Sequence, residues 1–412
     1  MRDVRMRGFA ERADVEEVEG FLAEHTRALP PEPVALLECV GRVLAEEVKA
    51  AVAVPGFTRA AMDGYAVRGE VTFGASAYEP ISLAVRGEAL PGSPYAGSVG
   101  DGDAVRVMTG APLPGGADAV VKAEVCSEAG GRVDLSEAVA PGKNVGAIGE
   151  DIREGDAVLH AGRRLRPQDA GLLASIGVAA PRCVRRPRVR LVVTGDELLP
   201  PGSRPSGARI VDSNSVVLRG LLTRDGAECL PFEILPDDPE MIRAALVSSD
   251  ADVVLVSGGS SVGTEDHAPR LVAELGSLDF HGVSMRPSSP AGVGRIGAAF
   301  VFLLPGNPVS CLCAYEFFAG PTLRALGGRS RAWPHRRVRL PLQRKIVSEV
   351  GRTDYVRVAI EDGHVLPIST AGASILSSTV RAAGCVVVRR ALEGMPEGAE
   401  VEVLLYDEEE PA

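Results

Sequence analysis

The sequence predicts a multidomain α/β plus β protein: a central, mostly parallel α/β sandwich with a small β domain inserted before it and a small β-rich domain after it. Three observations carry this. Strand-like and helix-like patterns alternate regularly between about residues 184 and 330. The regions on either side are rich in Gly and Pro and carry short alternating apolar runs. The two textures are separated by Arg- and Pro-rich stretches, "PRCVRRPRVR" (Pro181–Arg190) and "GGRSRAWPHRRVRL" (Gly327–Leu340), which are poor helix material and suit connectors.

Taking the elements in order, residues 11–49 read as two amphipathic helices. Val15, Val18, Leu22 and Leu29 line the first, and Leu36, Leu37, Val40, Val43, Leu44 and Val48 the second. From Val54 to about Ala140 short strands such as Ile81–Val85 predict a small β domain, and a short helix is expected at Pro167–Ile176. The central region gives strand Val189–Val193, helix Ser213–Arg224 with Asp212 or Ser213 as cap and Gly226 beyond its end, and strand Cys229–Leu235. Helix Asp238–Val247, strand Val253–Val256, a helix around Pro269–Leu275, strand Ala299–Leu304 and a longer helix Asn307–Leu326 complete it. Such alternation builds a parallel sheet covered on both faces. Strands return at Val338–Leu342, Tyr355–Ile360, Val386–Val388 and Val401–Leu405, before the acidic tail Asp407–Glu410, read as solvated.

Composition excludes several functions. A net charge of -11 argues against a general nucleic-acid or anionic-membrane binder. The N-terminus is too charged for a signal peptide, and no apolar run approaches the ~20 residues that span a bilayer. Seven scattered cysteines without a CxxC pair indicate reduced thiols in a cytoplasm; Cys311 and Cys313 sit in a helical pattern and read as core.

Ligands of open α/β sheets gather at the carboxyl ends of the strands. Here one strand exits into Thr194-Gly195-Asp196-Glu197, the next into Asp237-Asp238, and the third into Ser257-Gly258-Gly259-Ser260-Ser261-Val262-Gly263 followed by Glu265 and Asp266. The last exits into Leu304-Pro305-Gly306-Asn307-Pro308. Any single acid near a helix start is commonly a cap. Paired acids at three exits, with glycine turns leading toward helix N-termini, point instead to a site for phosphate plus a divalent metal. There is no GxxxxGK[ST] run, so a P-loop is excluded, and the GxGxxG spacing of a dinucleotide fold is also absent.

Several separated motifs identify a family. "VPGFTRAAMDGYAV" (Val54–Val67), "RVMTGAPLPGGADAVV" (Arg106–Val121), "GEDI" (Gly149–Ile152), "TGDEL" (Thr194–Leu198), "SGGSSVGTED" (Ser257–Asp266), "LPGNPVS" (Leu304–Ser310) and "GRTDYVR" (Gly351–Arg357) occur in this order. Together they resemble the MoeA family of molybdopterin molybdenumtransferases, which includes the gephyrin E domain.

The resemblance covers nearly the whole chain and implies an elongated homodimer of four-domain subunits. These would be a discontinuous N-terminal domain (1–50 with 140–183), an inserted β domain (51–139), a MogA-like molybdopterin-binding α/β domain (184–330) and a C-terminal β barrel (331–412). The implied reaction is insertion of molybdate into adenylylated molybdopterin with release of AMP, using Mg²⁺, in the cytoplasm. A molybdopterin adenylyltransferase is a possible partner, while nucleic acid and membrane are not expected.

By motif, Asp63, Thr109 and Asp151 match polar positions of the family's cleft. Glu197, Asp238 (or its neighbour Asp237) and Asp266 match its acidic positions around Mg²⁺ and nucleotide. Gly258, Gly259 and Ser260 would approach pterin and phosphates, with Asn307 and Pro308 on the opposite wall. Where the family commonly reads Lys-Pro-Gly-Lys-Pro, this chain reads Arg286-Pro287-Ser288-Ser289-Pro290. Arg286 would keep one cation for the oxyanion and Ser289 would lose the other, with Arg352 and Ser378 as the pocket's remaining donors. Thr58 is a second, milder departure. The competing readings are a catalytically weakened binding or scaffold protein, and the adenylylation step whose fold the central domain would share.

Overall fold

The computed structural model describes residues 12–247, 250–259, 266–369 and 372–407. The first amphipathic pattern forms helix α1 (Val15–His25), with Val15, Val18 and Leu22 buried at the i, i+3, i+7 spacing. The second expected helix does not form. Leu36–Glu38 make a single 3₁₀ turn, and Leu37 is 95% exposed. The apolar positions that suggested a helix are shared out among bridges instead: Leu44 pairs with Cys183, and Val48–Lys49 with Ala157–Leu159. Tertiary pairing has overridden a periodic pattern.

The chain divides into two compact units. One comprises residues 34–40 and 46–181. Its core is a six-stranded sheet made from β1 (Gly64–Val67), β2 (Ile81–Ala89), β3 (Asp103–Val107), β4 (Ala119–Lys122), β5 (Cys126–Ala129) and β6 (Arg132–Leu135), in the order β4-β1-β3-β2-β6-β5. All its pairings are antiparallel except β2 with β3. Val67, Leu83, Val121, Val133 and Leu135 fill one face, and Ala66, Val105, Val107 and Val120 the other. Helix α2 (Pro167–Ser175) starts with proline and is capped by Asp169, whose carboxylate accepts from the Arg166 amide at 2.9 Å.

The other unit comprises residues 1–33, 41–45 and 182–412. Helix α1 therefore groups with the α/β region, and the expected pairing of 1–50 with 140–183 runs across both units. The α/β layer is built from β7 (Arg188–Thr194), α3 (Asn214–Asp225), β8 (Glu228–Cys229), β9 (Ile234–Leu235), α4 (Pro239–Leu246), β10 (Val253–Ser257) and α5 (Ala268–Leu275). After β11 (Ser277–His281) and β12 (Met285–Arg286) come β13 (Gly292–Ile296), β14 (Ala299–Leu304), α6 (Pro308–Ala314) and α7 (Gly320–Leu326).

The sheet order is β8-β7-β10-β14-β13-β11, with β9 also on β7. Strands β7 to β10 and β14 are parallel, whereas β13 and β11 add an antiparallel edge. That edge is invisible to the strand reading above, because Gly292 and Gly294 interrupt its apolar pattern. The expected single strand Cys229–Leu235 is two short strands separated by a loop around Pro231. Alternation places Val189, Leu191 and Val193 against α1, α3 and α6, and Val192, Val254 and Val256 against α4 and α5. Gly226 ends α3 at φ 78°, the left-handed position the sequence marked. A π-helical turn, Tyr315–Ala319, joins α6 and α7 and carries Tyr315 and Glu316. The Tyr315 hydroxyl donates to buried Asp225, and the Arg224 guanidinium donates to Glu316.

The C-terminal segment adds β15 (Arg337–Pro341), β16 (Thr353–Glu361), β17 (His364–Ser369), α8 (Ser377–Val380), β18 (Gly384–Val388) and β19 (Glu400–Leu405). Their sheet runs β12-β16-β18-β19-β15, with β17 also on β16. Val356, Val358, Val386 and Val403 form its own core, while Tyr355, Cys385 and Leu404 on the opposite face join the α/β core. All seven cysteines are free thiols. Among the described residues no helix is long and apolar enough to cross a membrane. Most of the acidic tail, residues 408–410, lies outside the described residues.

Candidate functional site

The carboxyl edge of the parallel strands opens into a cleft of about 570 Å³. Its wall includes Thr194, Gly195 and Glu197 from the first exit, Asp237 from the second, Gly258, Gly259 and Asp266 from the third, and Gly306, Asn307 and Pro308 from the fourth. All four strand ends marked in the sequence thus meet at one cleft. Two glycines are required there. Gly258 has φ 100°, and a Cβ on it would stand 2.3 Å from the Thr194 carbonyl oxygen. Gly195 has φ 152°, and its Cβ would stand 2.7 Å from Glu197 Oε2. These contacts set how closely the loops stack.

The two acids of the second exit have different jobs. Asp238 Oδ1 accepts from the amides of Glu240 at 2.9 Å and Met241 at 3.0 Å, which makes it the N-cap of α4. It does not line the cleft; its neighbour Asp237 does. Asp237 is tied to the first exit through paired contacts with Asp196, its amide donating to Asp196 Oδ1 at 3.3 Å and its Oδ2 accepting from the Asp196 amide at 3.4 Å. Asn214 joins two further exits, donating to Ser257 Oγ at 3.0 Å and to the Gly306 carbonyl at 2.8 Å. Sequence reasoning passed over Asn214, and took its neighbour Asp212 only as a cap. Ser260 lies outside the described residues, as does Glu265.

The arginine loop differs from its expectation. Strands β12 and β16 pair so that Arg286 stands opposite Asp354. Arg286 Nη2 donates to Asp354 Oδ2 at 2.6 Å, and Arg352 Nε donates to Asp354 Oδ1 at 2.7 Å. Ser348 Oγ adds a bond to Oδ2 at 3.0 Å, and Arg352 Nη1 reaches Glu349 at 2.9 Å. Asp354 is 1% exposed. Both guanidiniums expected to await an oxyanion are therefore engaged with a buried carboxylate. With Glu349 also paired to Arg352, the two arginines face two carboxylates and the cluster is formally neutral. Ser288 lies beside it with φ 88° and its hydroxyl buried without a partner, as are Arg286 Nε and Thr353 Oγ1. The Ser289 carbonyl accepts from the Val283 amide at 2.9 Å. Ser378 is buried in α8, where its hydroxyl donates to the Ile375 carbonyl at 2.5 Å.

In the other unit, Asp63 Oδ1 accepts from both the amide and the hydroxyl of Thr109, each at 2.7 Å. These two bonds hold the Asp63 carboxyl below its ordinary value. Asp63 and Thr109 come from loops 46 residues apart and are both exposed. Asp151 is also exposed, and its amide donates to the Val54 carbonyl at 3.1 Å. The motif around Val54–Asp63 is thereby bonded to both other motif loops of this unit, since Ala60 also donates to the Ala111 carbonyl.

Three family models cover most of the chain. Residues 13–177 match the MoeA N-terminal region (domain I and II), 190–325 a "Probable molybdopterin binding domain", and 339–406 the MoeA C-terminal region (domain IV). The chain belongs to the MoeA family. It is 35% identical to molybdopterin molybdenumtransferase 2 of Mycobacterium tuberculosis, over 84% of this chain and 87% of that one. It is 34% identical to the molybdopterin molybdenumtransferase of Haemophilus influenzae, over 78% and 79%. The crystal structure of a MoeA molybdopterin biosynthesis protein from Pyrococcus horikoshii superposes with a TM-score of 0.82, at 32% identity, covering 96% of this chain and 100% of that one. Of the motifs quoted above, those beginning at Thr194, Ser257 and Leu304 contribute residues to the cleft, and those at Val54, Arg106 and Gly149 meet around the Asp63 loop.

Proposed function

We propose that this chain inserts molybdate into adenylylated molybdopterin and releases AMP, as a step of molybdenum cofactor biosynthesis. The observation that carries the reading is the acid-walled cleft on the carboxyl edge, where Glu197, Asp237 and Asp266 face the glycine turn Gly258-Gly259 and the start of α6. Backbone at Gly258 and Gly259 suits the close approach of a phosphate. The acids suit Mg²⁺, which takes one or two carboxylates and completes its shell with waters and phosphate oxygens. Glu197, Asp237 and Asp266 would hold it, and bound Mg²⁺ would supply charge neutralisation at the pyrophosphate. Asp63, held ionised by Thr109, would orient donors of the substrate.

We assign the oxyanion to the arginine loop, where Arg286 Nε and the Ser288 and Thr353 hydroxyls, buried without partners, would donate to a tetrahedral anion. The same reading carries the four-domain division, the C-terminal barrel, a homodimer, a cytoplasmic setting and a possible adenylyltransferase partner. The test is purified protein with adenylylated molybdopterin, Mg²⁺ and molybdate, followed by AMP release. Molybdate-dependent AMP above the no-enzyme control supports the reading. Release no greater than that control overturns it in favour of a scaffold, and adenylylation of molybdopterin from ATP would assign the preceding step instead.

A further inference from the structure

Asp212 lies between the strand pair formed by Leu198–Leu199 with Ile210–Val211 and the start of α3. Its Oδ1 accepts from the Ser215 amide at 3.1 Å, which accounts for it as a cap. Its Oδ2 is buried and has no partner, and the residue is only 4% exposed. The same holds at the end of β7, where Thr194 is 3% exposed and its Oγ1 is buried without a partner. Both residues line the cleft. A buried carboxylate oxygen without a donor is expensive, and capping explains only the other oxygen. Two such atoms in one wall mark a place where something else supplies the hydrogen bonds.

We propose that Asp212 Oδ2 and Thr194 Oγ1 form a recessed polar seat that receives an uncharged donor edge of the cleft's ligand; this rests on the functional reading above for the ligand's identity. Metal is disfavoured, because Asp212 Oδ1 is already taken by the Ser215 amide and the seat's other oxygen is a neutral hydroxyl. An adenine amino edge fits, its N6–H donating to Asp212 while its ring nitrogen accepts from the Thr194 hydroxyl, which is donor as well as acceptor. Two further parts of adenylylated molybdopterin present adjacent donors: the 2-amino and N3–H of the pterin, and the 2′,3′-diol of the ribose. Both oxygens are shut off from bulk water, so the donor edge must part the wall as it seats.

The variants are Asp212→Asn, whose amide oxygen can still cap α3 while its NH₂ meets the ligand's donors, and Thr194→Val, which removes the hydroxyl at nearly constant shape. Binding of 6-hydroxymethylpterin, read by its own fluorescence, and of AMP, read by calorimetry, is measured on the full chain alongside thermal midpoints. Asp212→Asn is expected to weaken one of the two ligands about tenfold to a hundredfold, and Thr194→Val about threefold to tenfold, with the other ligand unaffected. Loss confined to the pterin assigns the seat to the pterin edge; loss confined to AMP assigns it to the nucleoside. Should Asp212→Asn fail to fold, Thr194→Val alone decides. Unchanged binding of both ligands, equal weakening of both, or no binding of either to the unmodified chain overturns the seat. Selective weakening in a protein that releases no AMP would keep the seat and remove the transferase reading.

Discussion

Two polar regions of the same unit are built on opposite terms. At the carboxyl edge, Glu197 is exposed and Asp237 only partly covered, its carboxylate accepting from the Asp196 backbone amide. At the arginine loop, Asp354 is buried and grips Arg286 and Arg352 at 2.6–2.7 Å. Acids left at a surface cost little stability and are available to a cation that arrives with its ligand. A buried carboxylate between two guanidiniums is bound into the fold, because removing it strands charges that water cannot reach. The first region holds chemistry in reserve; the second holds structure and has no surplus charge.

The sharpest way to break this contrast is Asp354→Asn. It would leave Arg286 and Arg352 without their shared counter-ion and should cost about 3 kcal/mol or more of unfolding free energy in urea titration. Asp237→Asn should move the same measurement by less than ~0.5 kcal/mol. Comparable losses from the two would show that the edge acids are structural as well.

The edge itself can be divided by its second exit. Asp237→Asn should lower AMP release about tenfold to a hundredfold, as expected for one lost charge-assisted contact. Asp238→Ala should cost about 1 kcal/mol through the lost cap of α4 and leave turnover per folded molecule unchanged. The reverse pattern, with Asp238 controlling turnover, would return the metal to the cap residue.

How much of this was legible beforehand follows the range of the interactions. The four strand exits could be read because apolar runs and glycine turns are local signals, and they do converge on one cleft. Which acid of Asp237-Asp238 faces that cleft depends on where α4 begins, and a helix boundary is the least local-looking part of a pattern. The false helix at Leu36–Val48 arose because its apolar residues satisfy separate partners, Cys183 among them, far along the chain. The engagement of Arg286 was hidden for the same reason. Its partner lies 68 residues away, and only the register of β12 on β16 brings them together. The unpartnered oxygen of Asp212 is not a sequence signal at all, since a capping aspartate and a ligand-facing one read alike.

The arginine loop also tests the cost of departing from the family's common Lys-Pro-Gly-Lys-Pro. With both arginines engaged, Ser289→Lys should supply the free cation that the loop lacks. It is expected to lower the molybdate concentration needed for half-maximal AMP release by about one to two powers of ten. An unchanged molybdate dependence would mean that this loop does not touch the oxyanion.

The smallest effect concerns Ser288, the loop residue that stands where the family has glycine. Its φ of 88° lies in the region that a Cβ disfavours, and its hydroxyl is buried without a partner. Ser288→Gly relieves both, at the expense of a more flexible unfolded chain. The two gains outweigh that expense, so the variant should be more stable by about 1 kcal/mol, read as a shift of the urea midpoint at constant slope. Destabilisation would mean that the Ser288 side chain holds the arginine loop in place. In that case the loop would be as tightly bound into the fold as Asp354 is. An increase in stability together with unchanged molybdate dependence would place the strain in the loop's covalent geometry alone. The lost lysine at 289 would then be the only change in this loop that bears on anion binding.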